Sequence, residues 1–240
     1  MRIQLQNVSK RFGALVALDD VTLTIPAGAR VALAGSNGSG KSTLVRAVVG
    51  LTPCRGVTVD GIDPFVDRLS TASRIAYVPQ VAPLVGAAVG ELVEVVAALR
   101  RITPREIRQV AAALGLPIDL VDRRPLRALS GGMKQKLLVA LALAAPVSLV
   151  VLDEPTASLD ASARSVFFDL CRERLSGATV LISSHRPDEV AELADRVVTL
   201  SDGRIEDDEP AAAWSARRSA GRTLQHSDAR IETRPQEVRA

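Results

Sequence analysis

The sequence predicts an α/β fold, with a mixed but mostly parallel sheet, an added antiparallel β layer and an all-helical insert. Three observations carry that reading. Short β-branched runs alternate with helical patterns, the order that builds a parallel sheet covered by helices. Leu149–Leu152 and Thr179–Ile182 are continuously apolar, as central strands buried on both faces are. Between Gln80 and Ser130 no convincing strand pattern occurs at all.

Taken in order, Ile3–Val8 and Val21–Ile25 alternate only partly, which suits a layer with one exposed face. Val31–Ala34 is a compact apolar strand running straight into glycines. Val57–Val59 and Arg74–Val78 follow, each bounded by Gly or Pro. Within the insert, expected over about 81–145, Glu91–Arg101 and Pro104–Leu114 read as helices; Thr103 stands at the N-cap and proline at the first helical position. Val197–Leu200 forms the last parallel strand, and Gly203 turns the chain into a hairpin toward Ile205. These elements define one domain over 1–206. Residues 207–240, with six acidic against six basic side chains, read as a polar, flexible tail in which Pro210–Arg217 is a short helix candidate.

Composition narrows the function. The chain has 240 residues, of which 47% are hydrophobic but only 2% aromatic, so a sizeable core is expected and global disorder is excluded. Leu137–Leu152, an uncharged stretch as long as any in the chain, falls short of the roughly 20 residues a bilayer span needs, and Pro146 and Ser148 interrupt it. No signal-peptide order opens the chain, so a soluble protein is expected. The 30 Lys and Arg against 27 Asp and Glu leave a net charge of +3 with no basic block, which argues against a nucleic-acid partner. Cys54 and Cys171 are far apart and, with His185 and His226 the only histidines, offer no zinc pattern; reduced thiols in a cytosol are expected.

The chemistry begins at Gly35-Ser36-Asn37-Gly38-Ser39-Gly40-Lys41-Ser42, followed by Thr43, which fits G-x-x-x-x-G-K-[ST] between a strand and a helix. Its glycines permit a tight loop whose backbone N–H groups cradle phosphates, and the helix adds its positive dipole end. Lys41 is expected on the β- and γ-phosphate oxygens and Ser42 on Mg2+, which makes a nucleotide and Mg2+ the expected ligands and the fold a P-loop NTPase core. Leu149-Val-Val-Leu-Asp153-Glu154 supplies the acidic half: a buried strand delivers Asp153 toward Mg2+, through water, and Glu154 toward an attacking water. Two acids at a strand end might otherwise merely begin a turn; the phosphate loop favours the catalytic role.

The segment Leu129-Ser130-Gly131-Gly132-Met133-Lys134-Gln135 distinguishes this chain from other P-loop enzymes. With it, residues 2–206 resemble the ATP-binding subunit of an ABC transporter. The resemblance implies an ATPase working as a dimer, with a second copy or a homologous subunit, on integral membrane transporter subunits at the cytoplasmic face of the membrane. It implies that Ser130, Gly131 and Gly132 contact ATP held by the opposite subunit, and that Asp160 lies in the loop crossing that interface. It further places Phe12 on the adenine ring, Gln80 between Mg2+, water and the insert, and His185 on the γ-phosphate. Ser130 is compatible with a second role as a helix N-cap. Met133 departs from the usual glutamine and points toward an export-type system; an importer of metal ions or other small solutes is the alternative, and a mechanical ATPase driving a membrane partner without transport is a third reading. The small apolar run Val81–Val89 is either a docking surface for the membrane subunit or filling for the insert's own core.

Overall fold

A computed structural model describes residues 1–218. It has two sheets. The smaller contains β1 (Ile3–Phe12), β2 (Leu15–Ile25) and β4 (Val57–Val59) in the antiparallel order β2-β1-β4. The larger contains β3 (Arg30–Ala34), β5 (Ile75–Val78), β6 (Leu149–Asp153), β7 (Thr179–Ser183), β8 (Arg196–Ser201) and β9 (Arg204–Pro210) in the order β5-β6-β7-β3-β8-β9. All its neighbours pair in parallel except β8 and β9. Helices α1 (Lys41–Val48), α2 (Arg68–Ala72), α3 (Val89–Arg100), α4 (Pro104–Ala113), α5 (Gly131–Leu143), α6 (Ala161–Arg174) and α7 (Pro187–Leu193), two short 3-10 turns and a helix over 211–218 complete the described elements.

β1 and β2 are longer than the sequence pattern suggests. Register shifts interrupt their ladder between Leu5 and Arg11, and Asn7 and Asp20 take positive φ there. Each irregularity resets the inward–outward alternation, so the pattern breaks where the strand does not. Asn7 Nδ2 donates to Asp20 Oδ1 at 2.9 Å across the irregular stretch.

The insert contains α3, α4, the 3-10 turns and α5, and no strand, as expected. It has no core of its own: Val93, Ile107, Val110 and Leu137 belong to the same apolar cluster as Val150, Phe167 and Ile182 of the main body. α5 packs against α4, β5 and α6 at once, which explains its unbroken apolar run from Leu137 to Leu143. The uncharged Leu137–Leu152 stretch is therefore the end of α5 followed by β6. Among the described residues no helix is long and apolar enough to cross a membrane.

The tail expected from Asp207 onward requires correction over 207–210, whereas the helix candidate Pro210–Arg217 corresponds to a helix in the structure. Residues 207–210 finish β9, and 211–218 form a helix that buries Ala211 and Trp214 in the main core. The charges that made this stretch read as tail are paired in place. Arg196 Nε donates to Asp208 Oδ1 at 2.6 Å, and Arg217 reaches Asp207 at 2.8 Å and also Glu209. Charged side chains on an outer strand also discourage pairing with another chain. Residues 219–240, the remainder of that expected tail, lie outside the described residues.

Candidate nucleotide site

Four adjacent parallel strands, β6-β7-β3-β8, send their C-terminal ends toward one edge, where open α/β sheets place ligands. From β3 the chain enters the glycine loop and then α1. Gly35 and Gly40 both take positive φ there, 137° and 105°; a Cβ on Gly35 would lie 2.2 Å from Leu200 O, and one on Gly40 2.4 Å from Ala17 O. Only glycine satisfies both conditions, so the loop lies flat against β8 and β2.

A cleft of about 340 Å3 opens over this loop, lined by Phe12, Leu15, Ala17, Asn37, Gly38, Gly40, Lys41, Ser42, Thr43, Gln80, Asp153, Glu154 and Ser183. Phosphate-loop, acidic-strand and glutamine motifs therefore converge on one cavity. Gly35, Ser36 and Ser39 form the loop behind it. Lys41 Nζ donates to the carbonyls of Gly35 and Ser36 at 3.0 and 2.8 Å, and buried Ser39 lies behind the loop. Burial pushes the Lys41 ammonium below its ordinary pKa, against the opposing pull of Glu154 and Asp153. A desolvated cation beside a glycine loop that opens a helix suits a polyphosphate anion.

Asp153 is 1% exposed, at the end of an entirely buried strand. Its Oδ1 accepts from Ser183 Oγ at 2.8 Å and lies 3.5 Å from Ser42 Oγ, while Oδ2 is buried with no partner. An orphaned carboxylate oxygen beside a serine hydroxyl fits Mg2+, which takes oxygen ligands. Among the described residues no cluster of three or more His, Cys, Asp or Glu is assembled, so oxygens from a nucleotide or water would complete the cation's shell.

Glu154 follows in the left-handed region, φ 48°, unusual for a residue with a side chain. Such backbone costs about 1–3 kcal/mol and concentrates at functional sites. The turn directs the carboxylate out of the strand line: His185 Nδ1 donates to Glu154 Oε1 at 2.9 Å. Gln80 is exposed on the cleft rim, and Phe12, 51% exposed, offers its ring face there with Lys10 Nζ 5.3 Å from the centroid.

Ser130, Gly131, Gly132 and Asp160 are not in this cleft. Ser130 caps α5, accepting from Met133 N at 3.3 Å, and it is exposed together with Gly131. Gly132 packs closely on the Ser158 carbonyl. Asp160 caps α6, accepting from Ala163 N at 2.8 Å, and pairs with Lys136 of α5 at 2.7 Å. Those bonds hold its carboxyl well below the usual carboxylate range, Lys136 first, then Ser162 and Ala163. The signature is thus an exposed helix start braced by α6.

The sequence pattern did not single out Ser183, Leu15 or Ala17 as site residues. Ser183 follows the apolar run of β7 and immediately precedes Ser184-His185, a position that becomes informative only once β7 is paired with β6.

Fold and cleft together define a P-loop nucleotide-binding protein. The family profile described as ABC transporter matches residues 18–157, and the chain belongs to the ATP-binding cassette family of ABC transporters. It is 36% identical over 225 residues to a ribose import ATP-binding protein of Mesorhizobium japonicum, covering 88% of this chain and 44% of that one. It is 36% identical over 218 residues to a sulfate/thiosulfate import ATP-binding protein of Rhizobium meliloti, covering 86% of this chain and 59% of the other. It is 38% identical over 209 residues to a Nod factor export ATP-binding protein of Rhizobium johnstonii, covering 84% and 67%. The chain thus spans between about half and two thirds of the length of these relatives. Among solved structures, the ATP-binding subunit of an ABC transporter aligns with a TM-score of 0.77 at 25% identity, covering 92% of this chain and 94% of that one. A dimeric bacterial ABC transporter cassette aligns at 0.76 and 25%, covering 87% and 98%.

Proposed function

We propose that this chain binds and hydrolyses ATP to power a membrane ABC transporter, working as a dimer of cassettes. The observation that carries the reading is the convergence in one cleft of Lys41, Ser42, Asp153, Glu154 and Gln80, with His185 in contact with Glu154.

The adenine stacks on Phe12 and the phosphates lie along the N–H groups of the glycine loop, which the left-handed glycines turn toward the ligand. Lys41 leaves the loop carbonyls for the β- and γ-phosphate oxygens. Ser42, Gln80 and Asp153 would hold Mg2+, Asp153 through water. When bound, Mg2+ neutralises charge that develops on the transferring phosphoryl group. Glu154 accepts a hydrogen bond from the attacking water and orients it in line with the γ-phosphorus. His185 fixes the Glu154 carboxylate and lies where a γ-phosphate oxygen arrives. Little covalent chemistry falls to the protein; positioning and electrostatics do most of it.

Ser130 and Gly131 are exposed and Gly132 half-buried at a helix N-terminus outside their own cleft, an arrangement that suits the γ-phosphate of ATP held by a second copy or a homologous subunit. Asp160 then lies at the crossing loop and braces the signature helix from its own side. Membrane subunits dock near Val81 and Leu84, which are 76% and 90% exposed; of the two readings of that run, the surface one is favoured at these positions, while Val89 is buried. The protein is accordingly placed on the cytoplasmic face of the membrane. Met133 supports an export-type system, whereas the similar proteins include both import and export subunits; import of small solutes is the second reading, and the membrane subunits decide between them.

Glu154→Gln tests the core of the proposal. The variant should bind ATP as the parent does, turn over at least ~100-fold more slowly, and accumulate as an ATP-bound dimer on size exclusion. Turnover near the parent rate would sink the role given to Glu154.

A further inference from the structure

Glu189 lies in the first turn of α7 and is 0% exposed, outside the cleft. A carboxylate buried to that extent is costly unless every oxygen is satisfied, and an apolar residue of similar size often serves stability as well. Here both oxygens are satisfied from two different loops. Thr156 Oγ1 donates to Oε1, and Ser184 Oγ donates to Oε2 at 2.7 Å. Thr156 and Ser184 are themselves fully buried. Arg186 approaches Oε1 to 3.2 Å with Nε, and its backbone N–H donates to Ser184 Oγ at 3.1 Å.

The two loops are those that carry Glu154 and His185. Thr156 stands two residues after Glu154, on the segment leaving β6; Ser184 immediately precedes His185, on the segment leaving β7. These strands are parallel neighbours, with Asp153 opposite Ser183, and Glu154 N donates to Ser183 O at 2.9 Å. Beyond that last rung the ladder ends, yet Glu154 and His185 still meet at 2.9 Å. The Glu189 bridge spans the gap where backbone pairing stops. On the other side, Gln135 of the signature helix donates from Nε2 to Pro155 O at 2.8 Å, so the segment after Glu154 is held from both flanks.

We propose that Glu189 is a positioning residue for ATP hydrolysis: it ties the Pro155-Thr156 and Ser184-His185 segments together and thereby fixes the Glu154–His185 contact. It touches neither nucleotide nor water; it acts through the two loops. The inference rests on the roles proposed for Glu154 and His185.

The purified full chain carries the test, with ATP affinity and steady-state turnover measured on folded protein. Glu189→Ala should lower kcat by at least ~10-fold while ATP affinity stays within ~3-fold, since a lost buried hydrogen bond of this type is worth one to two decades. Glu189→Gln should recover most of that loss, because a carboxamide still accepts from Ser184 and donates to Thr156. Ser184→Ala, a milder change, should give an intermediate kcat, and combining it with Glu189→Ala should add little. With only two histidines in the sequence, His185 is also resolvable by NMR, and its ring signals should move in Glu189→Ala. Unchanged kcat in both Glu189→Ala and Ser184→Ala, or losses that follow ATP affinity, overturn the proposal. If Glu154→Gln is inactive in the same assay, that failure belongs to Glu189 alone; if Glu154→Gln is active, the reading beneath it fails instead.

Discussion

Ser183 Oγ donates to Asp153 Oδ1 across the β6–β7 pair, while Oδ2 stays buried without a partner. The carboxylate of Asp153 is thereby oriented by a hydroxyl on the neighbouring strand rather than by anything in its own motif. Ser183→Ala leaves the strand ladder intact, since backbone groups make it. The expected result is a loss of about 1 kcal/mol in the Mg2+-dependent part of ATP affinity, or roughly fivefold, with metal-free binding unchanged. Titration calorimetry with and without Mg2+ separates the two; equal losses in both would show that Ser183 acts on the loop instead.

Phe12 closes the other end of the cleft, half exposed beside Leu15 and Ala17, on the hairpin that joins β1 to β2. Truncating it to alanine removes the only aromatic surface lining the cleft among the described residues. ATP affinity should fall about tenfold, the usual scale for base–aromatic stacking, while Phe12→Trp stays near the parent. Fluorescent-nucleotide binding reads both variants, and an alanine variant that binds normally would move the adenine elsewhere.

The site was legible wherever its chemistry is local in sequence. Gly35–Ser42 and Asp153-Glu154 are contiguous, and their backbone needs are written into the residues themselves: glycines at positive φ, an apolar strand before the acids. What escaped depends on partners far along the chain. Ser183 matters through Asp153, thirty residues earlier, and Glu189 through Thr156 and Ser184. The same holds for the fold. The end of β9, residues 207–210, looked like a solvated tail because a linear reading does not pair its acids with Arg196 and Arg217. β1 and β2 looked short because irregular pairing breaks the alternation that a linear reading relies on.

Asp160 gives the pH dependence. Lys136, Ser162 and Ala163 hold its carboxyl below the ordinary carboxylate range in the folded chain. Between that lowered value and the ordinary one near 3.8, the unfolded chain binds the extra proton. The contribution is therefore complete above the ordinary value and is lost as pH falls through the folded one. Asp160→Asn should destabilise the chain at neutral pH, and the gap to the parent should narrow as pH is lowered below about 4. Unfolding curves at pH 7, 5 and 3 check this; a gap that widens in acid would contradict the sign.

The exposed apolar side chains define where a partner is expected. Val66, Leu69, Val81, Leu84, Val95 and Leu99 are all more than half exposed. They sit on elements that are tied together: Arg100, at the end of α3, donates to the carbonyls of Ser73 and Ile75, just beyond α2 and at the start of β5. In the function proposed above, large apolar residues on these connected elements would form the contact surface for a membrane subunit. Leu84→Glu adds a charge to an already open position, so stability should stay within about 0.5 kcal/mol of the parent. ATP turnover of the isolated chain should be unchanged, because Leu84 is not in the cleft. Recovery of membrane subunits with the tagged chain from detergent extracts should fall at least ~10-fold, since a buried charge at an apolar contact costs more than the 1.4 kcal/mol that a decade requires. Retained recovery with this variant would place the docking face elsewhere, whereas turnover lost in the isolated chain would tie Leu84 to the nucleotide site instead.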